Sequence, residues 1–290
     1  MLSQLSCYNK LNYYGNIYAR YGKRIEVENQ TMMKDKKDKR DNARREIPEG
    51  LIEGRNAVTE VIRSGRTIDH VFIAEGDTDK GLSRLAGMAR EAGAVVKTAD
   101  RRKLDMMSPT GAHQGIIAFV AAHDYATVEQ ILQTAEERGE KPLIVICDEL
   151  NDPHNLGAIL RSAECAGAHG VIIPKRRSVG LTAVVGKTSA GAIEYMKVAR
   201  VSNLPATIES LKKRGIWVFG TAADGDRTLY EADLKDGAAL VIGSEGYGMS
   251  RLVEECCDFK IRIPMKGNIT SLNASAAASI LLYEAVRQRL

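Results

Sequence analysis

Three loops in the second half of the chain carry residues whose types and spacing could do chemistry. In the first, residues 151–161, Asn155, Gly157 and Arg161 follow an apolar stretch. A guanidinium holds phosphates and carboxylates through its planar fork of donors. On a helix, Gly157 lies one turn from Arg161 and would leave space for a bulky group to reach it. Asp152 or Asn155 could cap that helix. Alone, the pattern also fits an ordinary capped helix with a surface arginine.

The second loop, residues 242–249, places three glycines and Glu245 directly after an apolar run that begins at Ala239. Glycines at such a position allow the backbone to approach a ligand closely. The spacing matches neither the phosphate loop nor the glycine fingerprint of dinucleotide-binding folds. An ordinary turn is the alternative interpretation.

In the third loop, residues 263–273, a proline follows Ile263, and a polar stretch then leads to Ser271, Leu272 and Asn273. A run of alanine and serine follows at 274–279, and Ser271 could cap a helix there. The small residues would allow close packing. The alternative is a packing helix with a polar entry loop.

The elements around these loops alternate regularly from residue 142 onward. Short apolar runs predict buried strands at 143–147, 170–173, 217–219, 239–242 and 260–263. Helical patterns lie at 155–166, 205–214, 249–257 and 272–289. This alternation predicts a parallel sheet covered on both faces, and ligands of such sheets bind at the carboxyl ends of the strands. The three loops should therefore meet at one edge.

Two segments precede this domain. Residues 47–122 read as a small α/β unit, and the polar, partly helical stretch 123–141 reads as a linker ending at Lys141-Pro142. Residues 1–46 include a run from 34 to 41 without an apolar side chain, which predicts disorder. Translation from Met32 or Met33 is an alternative for the tail, and a targeting segment is a weaker one.

Composition bounds the class of protein. The chain is 44% hydrophobic and 27% charged, and no apolar run reaches the roughly 18–20 residues that cross a bilayer. We expect a cytoplasmic protein with no membrane partner. The spacing of cysteines and histidines predicts no metal site. Residues 1–46 hold 11 basic and 6 acidic residues, whereas the remainder of the chain holds 30 basic and 31 acidic residues. The overall charge therefore neither supports nor excludes RNA binding.

In their order along the chain and in their residues, the three loops resemble the motifs of the SpoU (TrmH-like) branch of the SPOUT RNA methyltransferases. Asn155-x-Gly-x-x-x-Arg161 resembles the first motif, residues 243–246 the second, and residues 263–273 the third. The segment 47–122, with 54–58 and 113–115, is similar to the substrate-binding domain of the RlmB-type large-subunit rRNA guanosine 2′-O-methyltransferases.

The resemblance implies an α/β fold: a parallel-sheet SPOUT domain at 142–290 with a C-terminal trefoil knot, plus the small N-terminal domain. Knots are rare enough that physics alone would predict against one. The resemblance also implies a homodimer with its site near the interface, and S-adenosyl-L-methionine bound in bent form. The residues implied to contact this cofactor are Gly243, Ile263 and Leu272, with Thr221, Gly220, Ile242 and Met265 as neighbours.

The implied reaction is in-line attack of a ribose 2′-oxygen on the sulfonium methyl group, without metal. The resemblance assigns Arg161 to activate the hydroxyl, with Asn155, Glu245, Ser271 and Asn273 organising the site. Because a free arginine is a poor base, we expect Arg161 to hold an RNA phosphate and to stabilise the developing alkoxide.

The small domain should select the RNA, and its candidate phosphate contacts are Arg55, Arg101, Arg102 and Lys103. The predicted partner is 23S rRNA or a precursor of the large ribosomal subunit. Alternatives are a tRNA 2′-O-methyltransferase, an rRNA methyltransferase that protects against an antibiotic, and a non-catalytic ribosome-assembly factor. A nicotinamide-dependent oxidoreductase is a further alternative, against which the missing glycine fingerprint argues.

Overall fold

The computed structural model describes residues 50–76 and 79–290. The disorder predicted for residues 1–46 lies outside the described residues. None of the described helices is long and apolar enough to cross a membrane.

The first described domain is a four-stranded sheet with helices on both faces. Its strands lie in the order β1-β4-β2-β3, and only β2 and β3 are parallel. The strands are β1 (Leu51–Glu53), β2 (Ile68–Ala74), β3 (Val95–Ala99) and β4 (Ile116–Val120). The helices are α1 (Arg55–Arg63), α2 (Lys80–Glu91) and α3 (Arg101–Met107). Helices α1 and α2 pack on one face, and α3 buries Leu104 against the other.

The stretch 123–141, predicted as a linker, connects the domains and also supplies α4 (Val128–Arg138) to the core of the second domain. A capping box between Thr127 and Gln130 begins this helix. Its Ile131 is fully buried, and a Cβ on Gly170 would come within 2.5 Å of the Ile131 side chain. The connection is therefore packed against the large sheet.

The second domain is built on a seven-stranded sheet in the order β7-β6-β5-β10-β8-β11-β9. Every neighbouring pair is parallel, which confirms the predicted parallel sheet. The strands are β5 (Leu143–Cys147), β6 (Gly170–Pro174), β7 (Val198–Val201), β8 (Trp217–Thr221), β9 (Arg227–Thr228), β10 (Ala238–Ile242) and β11 (Phe259–Arg262).

Helices cover both faces of this sheet. They are α5 (Pro153–Cys165), α6 (Ala183–Thr188), α7 (Leu204–Lys212), α8 (Arg251–Cys256) and α9 (Ala274–Arg289). Leu156 of α5 and Leu281 of α9 belong to the core on one face, whereas Ile131 of α4 and Ile208 of α7 belong to the core on the other. The trefoil knot stays a prediction.

A buried ion pair joins the two domains. Arg200 Nη1 on β7 lies 2.6 Å from Asp69 Oδ1 on β2, and the two side chains are 5% and 4% exposed. The Tyr125 hydroxyl donates to the same Asp69 oxygen over 2.8 Å and accepts from the Leu181 amide over 2.9 Å. We call Asp69, Tyr125 and Arg200 the domain joint. Burial raises the pKa of Asp69, while Arg200 and the tyrosine hydrogen bond act in the opposite direction.

No side chain would fit beside the joint at position 180. A Cβ on Gly180 would lie 2.3 Å from Asp69 Oδ2 and 2.7 Å from the Tyr125 hydroxyl oxygen. The Arg200 guanidinium also donates to the main-chain oxygens of Asp69 and Lys175, each over 3.2 Å. Because its charges are desolvated and its hydrogen bonds are specific, the joint fixes the orientation of the small domain on the large one.

Candidate active site

Four neighbouring parallel strands end at one edge of the large sheet. They end at Cys147 in β5, Ile242 in β10, Thr221 in β8 and Arg262 in β11. The three loops predicted to carry chemistry leave this edge, as the parallel-sheet argument required. A cleft of about 1160 Å³ opens between the second and third loops.

The second loop turns back on itself immediately after β10. Ser244 and Gly248 exchange two main-chain hydrogen bonds of 2.9 and 3.0 Å, with Gly246 at φ 92°. A Cβ on Gly243 would lie 2.2 Å from the carbonyl carbon of Gly248. Glycine at 243 is therefore required for this turn, which presents Glu245 to the cleft.

Three predicted site residues, from all three loops, meet in one cluster. Glu245 Oε1 accepts from Asn155 Nδ2 over 2.7 Å and from Asn273 Nδ2 over 2.6 Å. Asn273 Nδ2 also donates to Asn155 Oδ1 over 2.9 Å. We call Asn155, Glu245 and Asn273 the amide–carboxylate cluster. Since Asn155 is 4% exposed, the cluster ties the wall of the cleft to the core of α5.

The start of α9 supports the charge of this cluster. The Ala274 amide approaches Glu245 Oε1 at 3.4 Å, so the carboxylate lies at the positive end of a 16-residue helix. Asn273 caps that helix, because its Oδ1 accepts from the amides of Ser275 and Ala276. The expectation that Ser271 is the cap was wrong. Ser271 lies before the cap and lines the cleft.

The start of α5 decides between the two caps proposed for it. The Asp152 side chain accepts from the His154 amide over 2.9 Å, and Pro153 occupies the first helical position. Asn155 lies inside the helix, where its side chain is free to join the cluster. Asp152 is therefore the cap.

The interpretation of Gly157 as space for a ligand was wrong. A Cβ there would lie 2.0 Å from Thr188 Oγ1 and 3.0 Å from the Ser189 amide nitrogen. The glycine lets α6 pack closely against α5.

Arg161 does not join the cluster within one chain. It is exposed on α5, makes no hydrogen bond or ion pair with any described residue, and does not line the cleft. One chain thus brings together Asn155, Glu245 and Asn273 with Ser271 at the rim, and leaves Arg161 outside.

Most residues implied to contact a cofactor line the cleft: Thr221, Ile242, Gly243, Ile263, Met265 and Leu272. Gly220 does not. A Cβ at 220 would lie 2.8 Å from both Cys257 Sγ and the Met249 methyl carbon. Gly220 therefore makes room for packing beneath the cleft, and its place as a neighbour of the cofactor stays a prediction.

Asp148 was missed by the sequence reasoning. This residue is 4% exposed at the end of β5, and its Oδ2 accepts from the Ser250 amide over 2.7 Å. It thereby anchors the chain that leaves the second loop. An acidic residue directly after an apolar strand was the available signal.

The predicted RNA contacts of the small domain fall into two kinds. The Arg55 guanidinium pairs with Asp79 and donates to the Gln114 main-chain oxygen over 3.2 Å, so local contacts already engage it. Arg101, Arg102 and Lys103 are exposed at the start of α3. They remain available for a partner.

Comparisons with known proteins agree with this geometry. Residues 142–283 match the SpoU rRNA methylase family, and residues 51–126 match the RNA 2′-O ribose methyltransferase substrate-binding domain. The Bacillus subtilis (strain 168) protein YacO, assigned by name to the TrmH family of tRNA/rRNA methyltransferases, is 50% identical over 236 residues. That match covers 81% of this chain and 94% of YacO.

Two further relatives extend the comparison. A Staphylococcus haemolyticus protein with the same family assignment is 46% identical over 239 residues, covering 82% of this chain and 96% of that protein. The solved structure of the SpoU methyltransferase AviRb from Streptomyces viridochromogenes, in complex with AdoMet, has a TM-score of 0.53 at 26% identity. It covers 82% of this chain and 90% of AviRb. The chain therefore belongs to the SpoU (TrmH) family of S-adenosylmethionine-dependent RNA 2′-O-ribose methyltransferases.

Proposed function

We propose that this protein methylates the ribose 2′-hydroxyl of a guanosine in 23S rRNA, on free RNA or on a precursor of the large ribosomal subunit. The observation that carries the proposal is the amide–carboxylate cluster in the wall of the cleft, beside an apolar lining. The match of residues 51–126 to a substrate-binding domain, held in place by the domain joint, supports a structured RNA as substrate.

The lining of the cleft fits S-adenosylmethionine. Ile242, Ile263 and Leu272 provide apolar surface for an adenine ring, and the loop at 243–248 provides main-chain donors and acceptors. Leu272 and Met265 line the cleft and are 40% and 37% exposed, so they add apolar surface that a bound ligand could cover. At about 1160 Å³, the cleft exceeds the roughly 300–1,000 Å³ of ordinary ligand pockets and leaves room for a ribose beside the cofactor.

S-adenosylmethionine would supply an electrophilic methyl group on its sulfonium. A bond from the ribose 2′-oxygen to the methyl carbon would form as the carbon–sulfur bond breaks, which releases adenosylhomocysteine, and the proton of the hydroxyl would leave to solvent. The residues of the chain have to orient the ribose and stabilise the charge that develops on its oxygen. Asn155 and Asn273 hold the Glu245 carboxylate in one position at the cleft wall. Arg161 would hold the phosphate next to the reacting ribose and stabilise the alkoxide.

Because Arg161 lies outside the cleft of its own chain, the proposal includes a homodimer. Ser162, the neighbour of Arg161, shares a 2.8 Å hydrogen bond with Ser279 of α9. Ile280 and Tyr283, three residues apart on α9, are 37% and 53% exposed. We propose that Arg161 and these two apolar side chains belong to the dimer interface, with Arg161 reaching the cleft of the partner.

Mixing two inactive variants tests this arrangement. If Arg161 acts in the partner's cleft, random exchange of R161A and N273A protomers makes half of the dimers mixed, and each mixed dimer carries one intact site. Activity should then return to roughly a quarter of the wild-type value. If Arg161 acts in its own cleft, or if the protein sediments as a monomer, the mixture stays inactive.

The function itself is tested with radiolabelled S-adenosylmethionine and two unmodified RNAs, large-subunit rRNA and bulk tRNA. We expect label in rRNA, resistance to alkali at one internucleotide bond, and loss of the label with R161A. Label in tRNA alone would contradict the rRNA assignment and favour a tRNA methyltransferase of the same family. Adenosylhomocysteine binding without transfer to free RNA or to ribosomal particles would contradict the enzyme assignment.

A further inference from the structure

Among the described residues, only the short helix α3 packs on one face of the small sheet. The short helix α3 packs Leu104 against Ala74, Ala99 and Ile117 at one end of this face. Phe72 lies further along the face, half-buried, next to Lys97 on the paired strand β3. Its ring meets that of Phe119 edge to face, with the centroids 5.9 Å apart. Two aromatic rings therefore lie beside α3 on this face.

Basic side chains gather around these rings. Lys97 Nζ lies 5.6 Å and Lys103 Nζ 5.5 Å from the centroid of the Phe72 ring, within the range of cation–π attraction. Arg101 and Arg102 extend the group along the first turn of α3. Within the described part of the chain, none of these four cations forms an ion pair with a carboxylate.

The group carries an electrostatic cost. Burial lowers the pKa of Lys97, and the charges of Lys103 and Arg200 lower it further. Like charges this close together, with no described carboxylate in an ion pair with them, are unfavourable for the free protein, and a bound anion would relieve the repulsion. The arrangement thus favours an anionic partner.

The basic side chains continue onto the second domain. Lys175, directly after β6, places its Nζ 3.8 Å from the position that a Cβ on Gly93 would occupy, and Arg176 follows it on the surface. Gly93 precedes Lys97 by four residues, roughly 13 Å along an extended strand. Arg177 is different, because it pairs with Glu149.

The domain joint fixes the basic residues of the small domain in position relative to those of the second domain. Arg200 of the joint donates to the main-chain oxygen of Lys175, and Asp69 precedes His70 on β2, next to the strand that carries Lys97. Lys175 lies at the carboxyl end of β6, the edge of the large sheet on which the cleft opens. The surface therefore leads from the small domain towards the cleft.

We propose that Lys97, Arg101, Arg102, Lys103, Lys175 and Arg176 form one phosphate-binding track that carries a strand of the substrate RNA across the domain boundary to the catalytic edge. The sequence predicted only the α3 part of this track. The inference rests on the proposed function for the identity of the ligand. An RNA backbone fits because it presents one negative charge per nucleotide along a line, and Phe72 offers a ring on which an unpaired base can stack.

The test measures how the affinity for RNA depends on salt, using the full chain and unmodified large-subunit rRNA transcribed in vitro. One variant, K97Q/K103Q, removes two cations on the small domain, and a second, K175Q/R176Q, removes two on the large domain. The matched control is K213Q/K235Q. It removes two exposed cations at the opposite edge, before β8 and β10.

Each track variant should lower the slope of log K against log salt by about 1.4, because each single-strand phosphate contact contributes about 0.7. The quadruple variant should lose about 2.8, and the control should keep the wild-type slope. Equal slopes for the track variants and the control would overturn the proposal. A loss confined to K97Q/K103Q would overturn the crossing between domains.

Two controls keep this result separate from the proposed function. Adenosylhomocysteine should bind all variants with wild-type affinity, which shows that the cleft is folded. Methyl transfer by the wild-type protein reports the proposed function independently of the slopes. Transfer to rRNA with unchanged slopes would leave the function in place and remove the track.

Discussion

Replacing Asn155 by aspartate tests whether the amide–carboxylate cluster depends on the amide itself. Asn155 is almost fully buried, and its Nδ2 donates to Glu245 Oε1 over 2.7 Å. The variant N155D keeps the shape of the side chain but replaces the donor with a carboxylate oxygen. Two carboxylates would then face each other at about the same distance.

The cost can be estimated from this geometry. Two unit charges about 2.7 Å apart repel by about 6 kcal/mol at an effective dielectric constant of about 20. Retaining one proton avoids the repulsion, and at pH 7.5 this costs about 5 kcal/mol for a carboxyl group with an ordinary pKa near 4. Retaining the proton costs less than the charge repulsion, so N155D destabilises the intact cluster by up to about 5 kcal/mol at pH 7.5. The loop can escape this cost only by moving Glu245 away from α5.

The sign of the pH dependence follows from the retained proton. As the pH falls, holding that proton costs about 1.4 kcal/mol less per unit, which leaves about 2 kcal/mol at pH 5.5. The ratio of N155D to wild-type activity should therefore recover by up to tenfold per pH unit between 7.5 and 5.5. N155A lacks the hydrogen bond without adding charge, so it should lose about 10- to 150-fold at every pH, equivalent to about 1.5–3 kcal/mol.

The assay is single-turnover methyl transfer to rRNA at pH 5.5, 6.5 and 7.5 with wild type, N155A and N155D. Dividing each rate by the wild-type rate at the same pH removes the intrinsic pH dependence of the reaction. An N155D-to-wild-type ratio that does not change with pH would refute the electrostatic reasoning. Near-normal rates for N155A would refute the role of the cluster in catalysis.

Three further variants test other parts of the structure. R200M leaves Asp69 buried without its cation, so it should lower the free energy of unfolding by about 3–5 kcal/mol in chemical denaturation. The double variant D69N/R200M also removes the buried negative charge and should recover part of that loss. A double variant no more stable than R200M would contradict the pairing. G243A places a Cβ 2.2 Å from the Gly248 carbonyl carbon and should weaken adenosylhomocysteine binding at least about tenfold by calorimetry without unfolding the chain, so unchanged affinity would count against the turn. Burial is the main cause that lowers the pKa of His70 to about 4, and the nearby charges of Lys97 and Arg200 lower it further. Between about pH 6.5 and 4 the folded state therefore binds fewer protons than the unfolded state. The contribution of His70 to the free energy of unfolding is complete above about pH 6.5 and is lost as the pH falls towards 4. H70Q should lose less stability than wild type between pH 7.5 and 5, and an equal loss would contradict this origin.

The elements predicted well were those whose local pattern decides their structure. The continuous apolar run at 143–147 is a strand buried on both faces. Gly93, at φ 84°, follows the last turn of α2, where glycine is favoured. In contrast, β7 was missed. It has four residues and includes Arg200, whose burial depends on an aspartate 131 positions earlier in the chain. No local pattern reveals a partner at that distance.

For the candidate site, as for the helices and strands, the sequence predicted some features and missed others. The motifs identified Asn155, Glu245 and Asn273, and the structure brings these three side chains together in one hydrogen-bonded cluster. The roles of individual glycines were less predictable. Gly157 and Gly220 accommodate Thr188 and Met249, and a sequence shows that a side chain is absent without showing what fills the space. The caps were uncertain for a related reason, since a cap depends on where the helix begins.

The domain joint also limits how the two domains can be recombined. A substrate-binding domain taken from a relative without an acidic residue at position 69 would leave Arg200 buried and unpaired on the edge strand of the catalytic domain. Tyr125 would lose an acceptor in the same exchange. A chimaera cut simply within the segment 123–141 should therefore fold poorly. Engineered exchanges of target specificity would have to transfer or redesign Asp69, Tyr125 and Arg200 as a unit.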